Sequence, residues 1–437
     1  MKKFLYGITA LGMCAFSMTS CSDKDNDGPG FGDGSFDEGE GTMEVYTPEE
    51  SKIFLEKTAT EALNLLNPED QREVIELCAY FVDTYGDLDL PENFDIEEDQ
   101  YDSSINEYMS TSGKAIATAD PSYITRAAVD YVYNIDFDNF KGVYEPENYE
   151  WVKVGDSDDV IFKFQNAAGQ QCELKANGSS KTYETSFEWD DNDYYYNETS
   201  QFNFKVPTIV TLTLTAGGKE LVNTKVESNI NFAAHNFNIT VNAKVANITA
   251  VANTTATDSK VTEDATTTVG GKTFITTKAV ANGSHLADIN FYNKNVADAD
   301  DIKVTLSQML NNGEAQVSVI DKVYVDGSIV YSSLLFDALG LYADTATEAE
   351  LYVKLLKESI SGKVRYNNTT TTQATVSWSY TVDTWYDYTE YYIEPELLFP
   401  DGTTYYFSNY FETGFSGVEN LWNNLTKKYE AIWDAAF

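Results

Sequence analysis

The chain has 437 residues, 42% of them hydrophobic, with 70 Asp and Glu against 29 Lys and Arg for a formal net charge of -41. The apolar share supports a large buried core and excludes a wholly disordered chain. The negative field repels nucleic acid and anionic headgroups, so neither is expected as a direct partner.

Lys2 and Lys3 precede an apolar run from Phe4 to Phe16. Basic residues followed by a short apolar core have the form of a secretory signal peptide, too short to span a bilayer. Residues 1–20 are expected to be removed, leaving Cys21 first. An acidic, Gly-rich tether over 21–45 follows, opening with Ser22-Asp23-Lys24-Asp25-Asn26-Asp27. Asp23, Asp25, Asp27 and Gly28 match the first half of an EF-hand loop, but Gly34 stands where the bidentate Glu is needed, so no metal is expected there.

The body, 46–437, opens with a helical pattern over 47–66. Asn67-Pro68 then caps a second helix carrying Val74, Leu77, Cys78, Phe81 and Val82. Together they predict a helical hairpin. An acidic loop follows from Asp87 to Asp102, and a short helix is expected over 121–131, which closes the helical region 47–131. The first sheet region, 140–326, begins as a meander through Trp151–Val154, Val160–Phe164 and Cys172–Ala176. Tyr194-Tyr195-Tyr196 is expected at a sheet edge or loop tip.

The organising stretch is Thr208 to Val251. There Val210, Leu212 and Leu214 alternate with Thr211, Thr213 and Thr215, and Phe237, Ile239, Val241, Ala243 and Val245 alternate with polar residues. Period-two alternation gives strands with one buried face. An unbroken strand over 237–251 would span about 50 Å, but a phase slip at Ala246-Asn247 implies a bulge or bend. Turns are expected at Asn282-Gly283 and Asp326-Gly327. Helices return over 332–359, strands over 363–412 with a hairpin at Asp401-Gly402, and an amphipathic helix over 416–435 presents Leu421, Trp422, Leu425, Tyr429, Ile432 and Trp433. The fold class is therefore α+β, a large curved antiparallel β-sheet with the N-terminal helical hairpin and the C-terminal helix packed against it.

No serine-nucleophile elbow, zinc-protease helix motif, P-loop or dinucleotide fingerprint occurs. His235 and His285 are each expected in a turn, and Cys78 and Cys172 are expected to be buried free thiols. The expectation is a protein that is not an enzyme and needs no cofactor or metal. Aromatic clusters are the candidate ligand-stacking residues: Trp385, Tyr386 and Tyr388, continuing to Tyr391 and Tyr392, and a second group at Tyr405 and Tyr406. They suit a glycan or protein ligand. The alternative is a carrier of an apolar ligand or lipid, held between helices and sheet.

Met18-Thr19-Ser20-Cys21 resembles the lipobox of bacterial lipoproteins, with Met18 in place of the usual Leu and Ser20 in place of Gly or Ala. The resemblance implies diacylation of Cys21, an anchor that holds the chain stably to a membrane without spanning it. The acidic run after Cys21 resembles the signal that sends Bacteroidota lipoproteins to the outer face of the outer membrane. With the helical hairpin, the Trp151 meander and Val206-Pro207, the chain as a whole is similar to lipoproteins of Bacteroidota. That similarity implies an outer-membrane location facing the exterior and no particular activity.

Overall fold

The computed structural model describes residues 36, 39–90, 140–188, 199–288, 291, 305–339, 341–385, 388–406 and 416–435. Cys21, most of the tether, the expected helix over 121–131, Tyr194–Tyr196 and Tyr386 lie outside the described residues.

The hairpin consists of α1 (Pro48–Leu63) and α2 (Pro68–Tyr85). Thr47 opens α1 with a capping box: its hydroxyl accepts the Glu50 N–H at 3.2 Å, and the Glu50 carboxylate accepts the Thr47 N–H at 2.8 Å. Asn67 caps α2 and Pro68 follows at a position where no N–H is needed.

Among the described residues, seventeen strands form one sheet. They are β1 (Gly142–Glu147), β2 (Glu150–Gly155), β3 (Val160–Gln165), β4 (Gln171–Glu188), β5 (Thr199–Ala216), β6 (Lys219–Asn231), β7 (Asn236–Val245), β8 (Ile248–Thr257), β9 (Lys260–Val269), β10 (Lys272–Gly283), β11 (Leu310–Val319), β12 (Val323–Val330), β13 (Tyr342–Ala343), β14 (Ile360–Tyr366), β15 (Thr372–Trp385), β16 (Tyr388–Leu398) and β17 (Thr404–Tyr406). Further helices are α3 (Ser333–Ala338), α4 (Ala346–Ser359) and α5 (Ser416–Asp434). From β3 to β12 each strand pairs antiparallel with the next, and β14, β15 and β16 continue the series. At one edge β1 lies between β2 and β3, parallel to β3. At the other, β13 and β17 share the outer side of β16.

The alternation read from the sequence has a direct counterpart in the register. Val210, Val226, Val241, Ala252, Ala265, Thr277, Val317, Val325, Val364 and Ala374 are successive partners across the sheet. This row marks the face that the helices cover. Val74, Leu77 and Phe81 of α2 pack on Trp151, Phe162, Phe164, Leu174, Leu212 and Leu214. Ala62, Leu65 and Leu66 at the end of α1 meet Ile248, Val269, Phe274 and Val319, while Phe54 and Leu55 at its start meet Val323, Val364, Tyr366 and Leu397. Toward the other end of the strands, Leu335, Ala338 and Leu356 of α3 and α4 cover Ile329, Ile360 and Ile393.

Polar contacts pin the hairpin to three turns at one end of the strands. Glu73 pairs with Lys219 at β5–β6, Gln71 and Asp70 accept or donate to Asn247 at β7–β8, and Glu61 pairs with Lys322 at β11–β12. α5 lies on α1 and α2, so the C-terminal helix forms a second layer over the hairpin.

Four local expectations are corrected. The chain does not bulge at Ala246-Asn247 but reverses there, with Ala246 at φ 51°, so the long strand becomes the β7–β8 hairpin. The strands read as Cys172–Ala176 and from Thr208 onward are longer than expected, with β4 and β5 each running for 18 residues. Asn282-Gly283 is not a tight turn but the end of β10, whose antiparallel partner β11 begins only at Leu310; a glycine stands there because the Met309 carbonyl lies 1.8 Å from an ideal Cβ. Asp326-Gly327 lies inside β12, because Asp326 points into a buried ionic contact; the reversal is at Ile320-Asp321, both at positive φ.

Candidate functional site

β15 and β16 pair without interruption from Thr375 opposite Leu398 to Trp385 opposite Tyr388. Trp385 and Tyr388 therefore sit at the hairpin tip, their side chains outside the described residues. Tyr405 and Tyr406 lie opposite Leu397 and Glu396, at the other end of the same hairpin. The two predicted stacking groups stand about 30 Å apart at the usual strand rise. They do not form one platform.

Tyr405 is committed to packing. Its ring meets Phe399 edge-on at 5.9 Å between centroids, and its hydroxyl donates to Glu49 of α1 at 3.3 Å. The Glu49 charge raises its pKa. Tyr406 is half-buried beside it.

The tip region gains a residue that the sequence reading missed. Tyr342, on the two-residue strand β13, is paired with Tyr392 of β16. The rings stand 6.0 Å apart at 65° and are 41% and 39% exposed. The Tyr392 hydroxyl donates to Glu390, and that hydrogen bond raises its pKa; Asp344 acts likewise on Tyr342. Strand alternation turns Tyr391 to the opposite face, where it packs half-buried against Tyr380 at 5.9 Å. Glu348 at the start of α4 accepts the Asp344 N–H at 3.0 Å and the Tyr352 hydroxyl at 2.9 Å, which fixes the loop bearing Tyr342. The result is two amphipathic rings on one face, bordered by carboxylates. Such a surface offers apolar stacking together with hydrogen-bond acceptors, and repels anions.

Both histidines enter one cluster, which their sequence separation hid. His235 Nδ1 lies 2.9 Å from Asp258 and its Nε2 lies 3.7 Å from Asp288, while His285 Nδ1 lies 3.4 Å from Asp288. The Asp258 hydrogen bond raises the pKa of His235. His285 also stacks flat on Phe291, with centroids 4.0 Å apart. Three connections, after β6, β8 and β10, meet here.

A second polar centre is buried within the sheet. Arg365, 2% exposed, donates from Nε to Asp326 at 2.5 Å, from Nη2 to Asp326 at 3.0 Å and from Nη1 to the Thr369 carbonyl at 2.9 Å. Gln316 donates to the same carboxylate at 2.7 Å, and the guanidinium lies over Tyr324. Glu263, on the helix-covered face but beyond the helices, has a buried Oε1 with no hydrogen-bond partner, and burial pushes its pKa up to about 7. Cys78 and Cys172 are free thiols, and burial pushes Cys78 up to about 11. Among the described residues, no group of three or more His, Cys, Asp or Glu is placed to hold a metal ion, and no helix is long and apolar enough to cross a membrane. No protein-family model, curated protein or solved structure matches this chain.

Proposed function

We propose that this chain is a lipid-anchored protein of the outer-membrane exterior that holds a neutral glycan without transforming it. The observation that carries this reading is the exposed Tyr342–Tyr392 pair with its bordering carboxylates. Sugar rings stack their C–H faces on aromatic rings and donate hydroxyl hydrogens to carboxylates, and this surface supplies both. An acidic glycan would meet repulsion from Asp344, Glu390 and the whole-chain charge of -41.

The path of the chain supports the reading. The end of the tether docks beside the β14–β15 turn: the Glu40 N–H donates to the Asn368 carbonyl at 2.7 Å, Thr370 N–H to Gly41 at 3.0 Å, and Tyr46 N–H to Gln373 at 2.8 Å. Trp385 lies at the other end of β15, about 45 Å away by strand rise. The segment that leads from Cys21 thus joins the described residues at one end of the hairpin, with the tyrosine pair toward the other, which suits an anchor and a ligand on opposite ends.

The test is calorimetric titration of the whole chain with a panel of neutral oligosaccharides. Tyr342→Ala and Tyr392→Ala are expected to weaken binding at least tenfold, with Phe at either position retaining most of it. Affinity indifferent to both alanines, or cleavage of the bound sugar, would overturn the proposal.

A further inference from the structure

Helix α5 carries a second surface. Leu425 and Ile432 are buried on the helical layer beneath, and the half-buried Tyr429 donates its hydroxyl to Gln71 of α2 at 2.8 Å. At 3.6 residues per turn, Trp422, Tyr429 and Trp433 fall on one stripe beside that buried face. Glu419, Glu430 and Asp434 fall on the next stripe outward, all exposed. Trp422 is 54% exposed and Trp433 38%. Ile75, Tyr429, Glu430, Trp433 and Asp434 line an open groove of about 570 Å³.

We propose that this stripe docks a basic segment of a partner protein, with arginine or lysine side chains laid over Trp422 and Trp433 and paired with Glu430 and Asp434. Cations bind the faces of indole rings, and carboxylates alongside add direct ion pairing. The groove is lined by two acids and no basic residue; of the two lysines on the helix, Lys428 acts electrostatically on Glu69, and Lys427 stands exposed at the outer edge of the acidic stripe, outside the groove. Its openness suits side chains presented by a larger surface better than a small molecule that must be enclosed. The two indoles are separated by about 16 Å along the helix axis, so a second helix or an extended segment reaches both. The strong net negative charge accelerates the encounter with a basic partner and disfavours an acidic one.

The probe is a fluorescein-labelled helical peptide of 16 residues built from leucine and arginine, titrated into the whole chain beside a matched leucine–glutamine peptide. The arginine peptide is expected to bind and quench tryptophan fluorescence. Trp433→Ala and the pair Glu430→Gln with Asp434→Asn should each weaken it at least tenfold, with Trp433→Phe retaining most of the affinity. The remote pair Asp156→Asn with Asp158→Asn makes the same change in net charge and should alter affinity less than twofold. Circular dichroism establishes that each variant folds. Equal weakening by the remote pair would reduce the effect to general charge attraction and overturn the site. Equal binding of the glutamine peptide, or no binding of either, would overturn it too.

Discussion

Replacing Glu263 by glutamine isolates one buried carboxyl in a chain crowded with acids. Glu263 lies opposite Thr254 of β8 and Ala279 of β10, and burial pushes its pKa up to about 7 from an ordinary value of 4.5. A shift of that size corresponds to at most about 3 kcal/mol, and partial wetting of the side chain reduces the expected effect to about 2 kcal/mol. Below pH 4.5 the carboxyl is neutral in folded and unfolded chains alike and contributes nothing. As pH rises toward 7 the unfolded chain ionises first, so the native state loses stability relative to the glutamine variant. Above 7 both states are ionised and the loss levels off. Urea unfolding of both proteins between pH 4 and 8 measures this, because the titration of the other acids is common to the two and cancels in their difference. The stability advantage of Glu263→Gln should grow from near zero at pH 4 to about 2 kcal/mol at pH 8. A difference that stays constant across that range would refute the burial argument.

Other substitutions probe separate features. Asp326→Ala leaves the buried Arg365 guanidinium without its carboxylate and should cost about 3–5 kcal/mol in urea unfolding, far more than removal of the exposed Asp156 carboxylate. Gly283→Ala drives a methyl group into the Met309 carbonyl and should destabilise by about 1–3 kcal/mol in the same assay. NMR should show His235 titrating above 6.5, with Asp258→Asn returning it toward the ordinary value. Because its folded pKa is raised, the stabilising contribution of His235 is complete below pH 6.5 and is lost as pH rises through the folded value.

The sheet was legible because period-two alternation is a local property. Val210, Leu212 and Leu214 announce their face without knowledge of any partner, and Thr47, Asn67 and Pro68 announce helix starts in the same way. The turns were less so. Ala246 and Ile320-Asp321 adopt positive φ without a glycine, and the expected Asp326-Gly327 turn is overridden by an ionic partner 39 residues away. The candidate site was half legible. The aromatic density around Tyr391 and Tyr392 showed in the sequence, but which ring faces outward depends on strand phase, and Tyr342 sits on an element too short to carry a periodic signal. The histidine cluster had no local signature, since three separate connections bring it together.

The docking of the tether beside β15 also bears on mechanics. On the anchoring and glycan binding proposed above, a pull between Cys21 and the Tyr342–Tyr392 pair would enter at the start of β15 and leave through β16, along the strand axis. It would load the ladder that joins β15 to β16 in shear, many hydrogen bonds at once, instead of opening them one by one from an end. The contacts of Glu40, Gly41 and Tyr46 are the first to bear that load. On the anchoring proposed above, the tether would peel from the β14–β15 turn before the sheet yields, lengthening the reach of the molecule.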